Sequence, residues 1–342
     1  MRLEDYHPIS ELVVPEHIVS KPSFPVFDAH SHWGKLLLGD SYPEQYDTKE
    51  VVEKFKEIGI KGMVNLDGFS GAELDKMLAK TEESDGFVKT FGNVDITLLE
   101  RPDFESYVRR TITESKAKGI SGLKFWKIIG LEHKDSTGKY IPPNDPRLQC
   151  IWQTAAELDL PVLFHIADPV AFFKTIDNRN ERWEELGAHP DWAFNAPELY
   201  SFETLMQMQY DLIKSNPNTT FIIAHVGSYS ENLGAVAKWL DELPNMNIDI
   251  AARIGELGRQ PYTSKAFLTK YADRVLFGTD CTPTMPTGVF NITYRFLETM
   301  DEYFPYDDTP DGAQGRWRIY GVGLDDVTLE KIYYKNAERL IK

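Results

Sequence analysis

Short apolar runs bounded by glycine, proline or polar residues alternate along the chain with longer stretches whose apolar positions recur every three or four residues. The short runs lie at 26–30, 62–67, 88–94, 122–126, 162–165, 220–225, 247–251 and 275–280. Between them, amphipathic stretches at 47–58, 72–83, 104–118, 147–158, 202–215, 233–243 and 263–271 are each long enough to cross over between parallel strands. This alternation is the signature of βα units around a parallel sheet. Eight strands with intervening helices predict a closed (β/α)8 TIM barrel, in a single domain over 1–342. Counting elements alone leaves a doubly wound sheet open; the strand-end residues below favour the barrel.

Three regions fall outside the repeat. Residues 1–24 carry three prolines and read as an N-terminal arm lying over the barrel. Residues 169–197 form a long insertion after the fifth strand, rich in Trp and Asn, where Phe172, Phe173, Trp183 and Trp192 favour an ordered lid. The stretches 282–293 and 306–316, after the eighth strand, read as irregular. No internal repeat or low-complexity tract interrupts the chain.

Charge narrows the partners. The formal net charge is -16, from 37 Lys and Arg against 53 Asp and Glu, which opposes binding to nucleic acid or to an anionic membrane surface. A small anionic substrate would need a local basic patch. Cys150 and Cys281 are the two cysteines, too few for a disulfide framework or a thiolate metal site, and they suit a reducing compartment. The first residues lack a continuous apolar segment and no run approaches a membrane span, so the expected location is cytoplasmic.

Polar residues recur at the C-terminal ends of the apolar strands, where barrel active sites sit. The first run ends in Asp28-Ala29-His30-Ser31-His32, the fifth in His165, the sixth in His225 and the eighth in Asp280. Side chains at i and i+2 of a strand share a face, so His30 and His32 can bind one ion. His30, His32, His165 and Asp280 would supply nitrogen and oxygen ligands and leave a position open for water. Such a set suits one divalent ion, Zn2+ first, with Mn2+, Fe2+ or Ni2+ as further choices.

At these residues the sequence resembles the amidohydrolase superfamily, and within it the amidohydrolase-2 group that includes aminocarboxymuconate-semialdehyde decarboxylase and 2-pyrone-4,6-dicarboxylate lactonase. The likeness runs from about Phe24 to Lys342 and includes Tyr334-Lys335-Asn336-Ala337-Glu338-Arg339-Leu340, similar to the group's closing helix. The resemblance implies a single-metal site in which His30, His32, His165 and Asp280 are ligands and His225 stands outside them, bonded to the metal water or substrate. Asp280 would double as acceptor of the water's proton, so His225 and Asp280 carry the catalytic roles. Asp28 matches an acidic residue that often precedes the paired histidines, and its expected role is structural. Homodimers are common in the group.

Substrate contacts are sought in the loops. Binuclear superfamily members bridge two ions with a carboxylated lysine near the fourth strand's end, and Lys124 and Lys127 both qualify there. Their odd spacing puts them on opposite faces of a regular strand, and Lys127 is preferred as a binder of a substrate carboxylate. Arg253 and Arg259, after the seventh strand, are candidates for a carboxylate clamp. Asp249 reads as a packing or supporting residue, and His133 and His189 as solvated. The expected activity is hydrolysis of a lactone, ester or amide of a small carboxylate-bearing substrate by metal-activated water. The alternative is non-oxidative decarboxylation or hydration of a small carboxylic acid at the same centre. A non-catalytic barrel would show a broken ligand set, and all five positions are intact.

Overall fold

A computed structural model describes residues 5–309 and 314–342 of the chain. Eight parallel strands form one sheet in sequence order: β1 (Val26–Ser31), β2 (Ile60–Phe69), β3 (Val88–Gly92), β4 (Gly122–Phe125), β5 (Val162–Phe164), β6 (Phe221–Ile223), β7 (Met246–Asp249) and β8 (Val275–Leu276). The crossovers are α1 (Thr48–Glu57), α2 (Gly71–Glu82), α3 (Phe104–Lys118), α4 (Gln149–Glu157), α5 (Phe202–Ser215), α6 (Leu233–Glu242) and α7 (Pro261–Lys270). Several begin on side-chain caps: Asp47, Ser201 and Asn232 accept from the amides of Glu50, Thr204 and Ala235. Among the described residues, no helix is long and apolar enough to cross a membrane.

The last strand meets the first beyond the end of its regular pairing. Ala29 N–H donates to the Phe277 carbonyl at 2.9 Å, Asp280 N–H to His30 at 2.8 Å and His32 N–H to Cys281 at 2.9 Å. These bonds set His30 and Asp280, far apart in sequence, side by side. The approach is close: a side chain at Gly278 would put its Cβ 2.9 Å from the Cβ of His30 and 3.2 Å from that of Ala251. Beside this seam the buried Asp28 carboxylate accepts from Thr279 Oγ1 at 2.5 Å and from the amides of Thr279 and His30. Burial pushes its carboxyl up to about 7 against the pull of these bonds.

Two apolar regions hold the layers together. Inside the barrel lie Phe27, Val64, Leu66, Phe91, Leu163, Ile222 and Leu276, with Ala337 and Ile341 of the C-terminal segment packed against them. Between strands and helices a larger core includes Trp33, Phe55, Phe125, Trp152, Phe164 and Phe221.

The structure departs from the sequence pattern in three places. Strands β6 and β8 stop at Ile223 and Leu276, earlier than the apolar runs, because the chain then leaves extended geometry: His225, Val226 and Asp280 have positive φ of 57°, 58° and 68°. Residues 282–293, expected to be irregular, open instead into helix α8 (Gly288–Glu298), which buries Phe290, Tyr294 and Leu297. Pro283 and Pro286 before it, and its aromatic and β-branched residues, mask the helical pattern. In the 306–316 stretch, residues 310–313 lie outside the described residues, as do residues 1–4 of the arm. The rest of the arm is held by His17, whose amide and Nδ1 reach the buried Asp301 at 2.7 and 2.5 Å, and by Ser23 on Glu298.

The insertion after β5 is anchored by charge more than by its tryptophans. Trp183 and Trp192 are largely exposed, whereas Arg182 is fully buried. Its guanidinium donates to Glu185 at 2.6 Å and to the buried Glu256 at 2.5 Å, between the rings of Phe172 and Trp317. Removing one member of such a cluster leaves the other charge buried and unpaired. The Arg182→Met substitution is therefore expected to destabilise the protein by about 3–5 kcal/mol in urea unfolding, and Arg182→Met combined with Glu185→Met and Glu256→Met to recover most of that loss.

Candidate metal centre

His30 and His32 emerge from β1 at an irregularity. Asp28 pairs with Met63 of β2 and Ser31 with Asn65, so β1 spends one more residue than its neighbour over this interval. This bulge breaks strict alternation and separates Asp28, bonded to Thr279, from the two histidines. Each imidazole is fixed from behind by a carboxylate: His30 Nδ1 donates to Asp249 Oδ2 at 2.8 Å, and His32 Nδ1 to Asp67 Oδ1 at 3.1 Å. Both Nε2 atoms then face Asp280 Oδ1, each at 3.3 Å. Carboxylate-backed imidazoles are the usual way a protein orients histidine ligands.

His225 joins this group from the turn after β6. Its Nδ1–H donates to the Ala251 carbonyl at 2.8 Å, which leaves the lone pair on Nε2, and its amide donates to Asp249 Oδ1 at 2.9 Å. Ligand atoms of His30, His225 and Asp280 all lie within 4.8 Å of one another, and the three residues form a candidate metal site. The backbone is strained here: His225, Val226, Ala252 and Asp280 all have positive φ at the ends of β6, β7 and β8.

His165 stands one step away. Its ring meets that of His225 edge to face at 4.4 Å, while its Nε2 lies 3.1 Å from Asp168 Oδ1. Asp168 is ion-paired with Lys127 as well. The sequence-predicted ligands His30, His32 and Asp280 are thus brought together; His165 has its ligand nitrogen on a carboxylate, and His225 presents a free one.

The electrostatics favour a cation. Burial opposes a charge on His30, yet the carboxylates of Asp249 and Asp280 outweigh it and raise its imidazole to about 9. Asp280 is buried too, but the charge of His30 and the bonds from His30 and His32 hold its carboxyl well below the usual range. Burial lowers His165 to about 4 and, with His165 and Arg253 nearby, pushes His225 well below its ordinary value. The two imidazoles held neutral, His165 and His225, and the ionised Asp280 carboxylate suit a divalent ion, which would bind by displacing the Nε2 proton of His30.

A cavity of about 290 Å3 opens beside His225, His165 and Asp280. Lys127, Arg182 and Arg253 line it together with Asp168, Glu185 and Asp280; Lys127 is paired with Asp168 and Arg182 with Glu185, which leaves Arg253 as the lining cation whose guanidinium bonds, among the described residues, only a backbone carbonyl. Arg253 is buried and donates to the Ala252 carbonyl at 2.7 Å. Arg259 is not among the lining residues; it pairs with Glu181 at 2.9 Å and lies over the Trp317 ring at 4.0 Å. Because β4 ends at Phe125, Lys127 sits in a helical turn (φ -55°, ψ -11°), and strand alternation does not govern it. Lys124 is buried, and burial lowers its ammonium to about 8 despite the pull of Asp280, Asp249 and Asp67. Sequence reasoning missed Asp67 and Asp168. Asp67 was accessible to the rule that found the histidines, since it too ends a predicted strand; Asp168 follows His165 by three residues.

The amidohydrolase family model matches residues 28–342 of the chain. No protein of curated function matches it by sequence. Among solved structures, a dihydroxybenzoic acid decarboxylase from Polaromonas sp. JS666, with bound manganese and the inhibitor 2-nitroresorcinol, superposes with a TM-score of 0.57 at 13% identity, covering 93% of this chain and 96% of that one. A 2,6-dihydroxybenzoate decarboxylase from Rhizobium gives 0.53 at 14% identity over 93% and 98% of the two chains. A 4-oxalomesaconate hydratase from Rhodopseudomonas palustris gives 0.51 at 14% identity over 92% and 95%. At such identities the likeness is one of fold.

The supporting carboxylates generate a measurable expectation. Asp67→Asn and Asp249→Asn, which keep the shape but lose the charge behind each imidazole, are each expected to weaken divalent-metal binding about 10- to 100-fold in a competitive chelator titration.

Proposed function

The chain belongs to the amidohydrolase family, and on that premise we propose that it is a metal-dependent hydrolase of a small carboxylate-bearing ester, lactone or amide. His30, His32 and Asp280 would hold one divalent ion, Zn2+ in the first instance. His225 has its Nε2 free beside them, and His165 would enter the ligand set by turning its Nε2 away from Asp168. Bound there, such an ion polarises a carbonyl and acidifies water.

The observation that carries the hydrolytic reading is the geometry of the centre: Asp280 Oδ1 lies 3.3 Å from Nε2 of both His30 and His32, His225 keeps its Nε2 lone pair beside them, and Asp280 and His225 both border the cavity. Hydrolysis needs an acceptor for a proton from water, and Asp280 can take it while His225 orients the attacking group. Lys127, paired with Asp168, and Arg253 line the cavity and would receive the substrate carboxylate, with Arg182 held in its wall by Glu185 and Glu256. One feature favours the decarboxylase alternative: the Lys127 ammonium lines the cavity and could return a proton to carbon after loss of carbon dioxide.

Incubating metal-loaded protein with a panel of lactones, esters and aromatic carboxylates separates the two. Formation of the hydrolysed acid without carbon dioxide supports hydrolysis, and release of carbon dioxide without hydrolysis overturns it. On the substrate so found, Lys127→Met and Arg253→Met are each expected to raise KM on the order of 10- to 100-fold, the loss of a charge-assisted hydrogen bond, with a smaller effect on kcat.

A further inference from the structure

A second cavity, of about 310 Å3, lies at the C-terminal ends of β2, β3 and β4. It does not share lining residues with the cavity beside His225 and Asp280, and the segment after β4 divides the two. Trp126 and Ile128 face the second cavity, and Lys127 between them faces the first. The Trp126 ring meets that of His32 edge to face, with centroids 6.0 Å apart, so the second cavity adjoins the metal centre through a single side chain.

Its chemistry differs from that of the first. Phe69, Ile96, Phe125, Ile128 and Ile129 give it apolar walls, while Ser70, Asn93, Asp95 and His133 add polar groups to the lining. The Nε1–H of Trp126 is buried and makes no hydrogen bond to any described residue. A buried donor without an acceptor is costly, and a ligand oxygen would satisfy it. Gly68, with a positive φ of 63°, packs directly against that edge; a Cβ there would stand 3.2 Å from Trp126 Nε1 and 3.0 Å from the Cβ of Lys124. The indole edge therefore depends on a residue without a side chain. The Lys124 ammonium lies 5.9 Å from the centre of the indole ring.

We propose that this cavity is a second compartment of the active site, taking an uncharged, apolar ring whose acceptor oxygen bonds to Trp126 Nε1–H. The substrate's carboxylate stays on the Lys127 and Arg253 side. The size, at the lower end of small-molecule sites, suits one ring. The reacting bond then lies over the partition at 126–128, next to His32 and Asp280. This assignment rests on the metal-centre reading only for what happens at the reactive end.

Its test uses calorimetric binding of acetate, benzoate and 4-methoxybenzoate to the full chain after incubation with Mn2+, with metal content measured on the same samples. Benzoate is expected to bind at least about tenfold more tightly than acetate, the gain from burying a ring. The methoxy oxygen should add about 2- to 10-fold, the value of one hydrogen bond. Ser70→Phe, which fills the cavity from its rim, should bring benzoate and acetate to equal affinity, and Trp126→Phe should remove only the methoxy gain. Equal binding of acetate and benzoate by the parent protein, or preference for benzoate that survives Ser70→Phe, overturns the compartment. A parent protein that holds no metal yet shows the ring preference and its loss in Ser70→Phe supports the compartment and counts against the metal-centre reading instead.

Discussion

The carboxylate of Asp249, fully buried at the end of β7, ties together the pieces of the centre that lie farthest apart in sequence. One oxygen accepts from the amides of His225 and Ala251, at 2.9 and 3.1 Å, and the other from Nδ1 of His30 at 2.8 Å. That single group fixes the tautomer of His30, the entry of the strained turn that carries His225, and the spacing between β1, β6 and β7. A buried carboxylate is tolerated because both oxygens are bonded. Its position behind the imidazole, on the side away from Asp280, leaves Nε2 of His30 for a ligand.

Around this anchor, the barrel separates positioning from recognition. The β8–β1 seam, with Asp28 on Thr279, brings Asp280 against His30 and His32. The loops supply the rest: the turn after β4 divides two cavities, and the insertion after β5 brings Arg182 into the wall of one of them. In an acidic protein the cavity gathers Lys127, Arg182 and Arg253 from three separate loops, beside Asp168, Glu185 and Asp280. Steady packing of Arg182 between two acids and two rings makes the insertion a fixed wall of the site.

Much of this was legible in the sequence. The eight strands and the seven crossover helices follow from apolar periodicity, because each strand is covered on both faces and each helix on one. The histidines at the ends of strands one, five and six, and Asp280, stood out because a polar residue closing an apolar run has few structural reasons to be there. What periodicity could not convey was local geometry. The bulge in β1 that parts Asp28 from His30, the left-handed turns at His225 and Asp280, and the placement of Lys127 outside β4 all break the two-residue repeat on which facing was inferred. Pairings across the fold, such as Asp168 with both His165 and Lys127, or Arg259 with Glu181, depend on distances that no local pattern encodes.

The central claim is that the residues closing β1 and β8 hold a metal ion. Elemental analysis of the purified parent protein beside the His30→Ala, His32→Ala double variant tests it most directly. One tightly bound divalent ion per parent chain and its loss from a still-folded double variant is the predicted result. A double variant that keeps one tightly bound ion per chain would contradict the account.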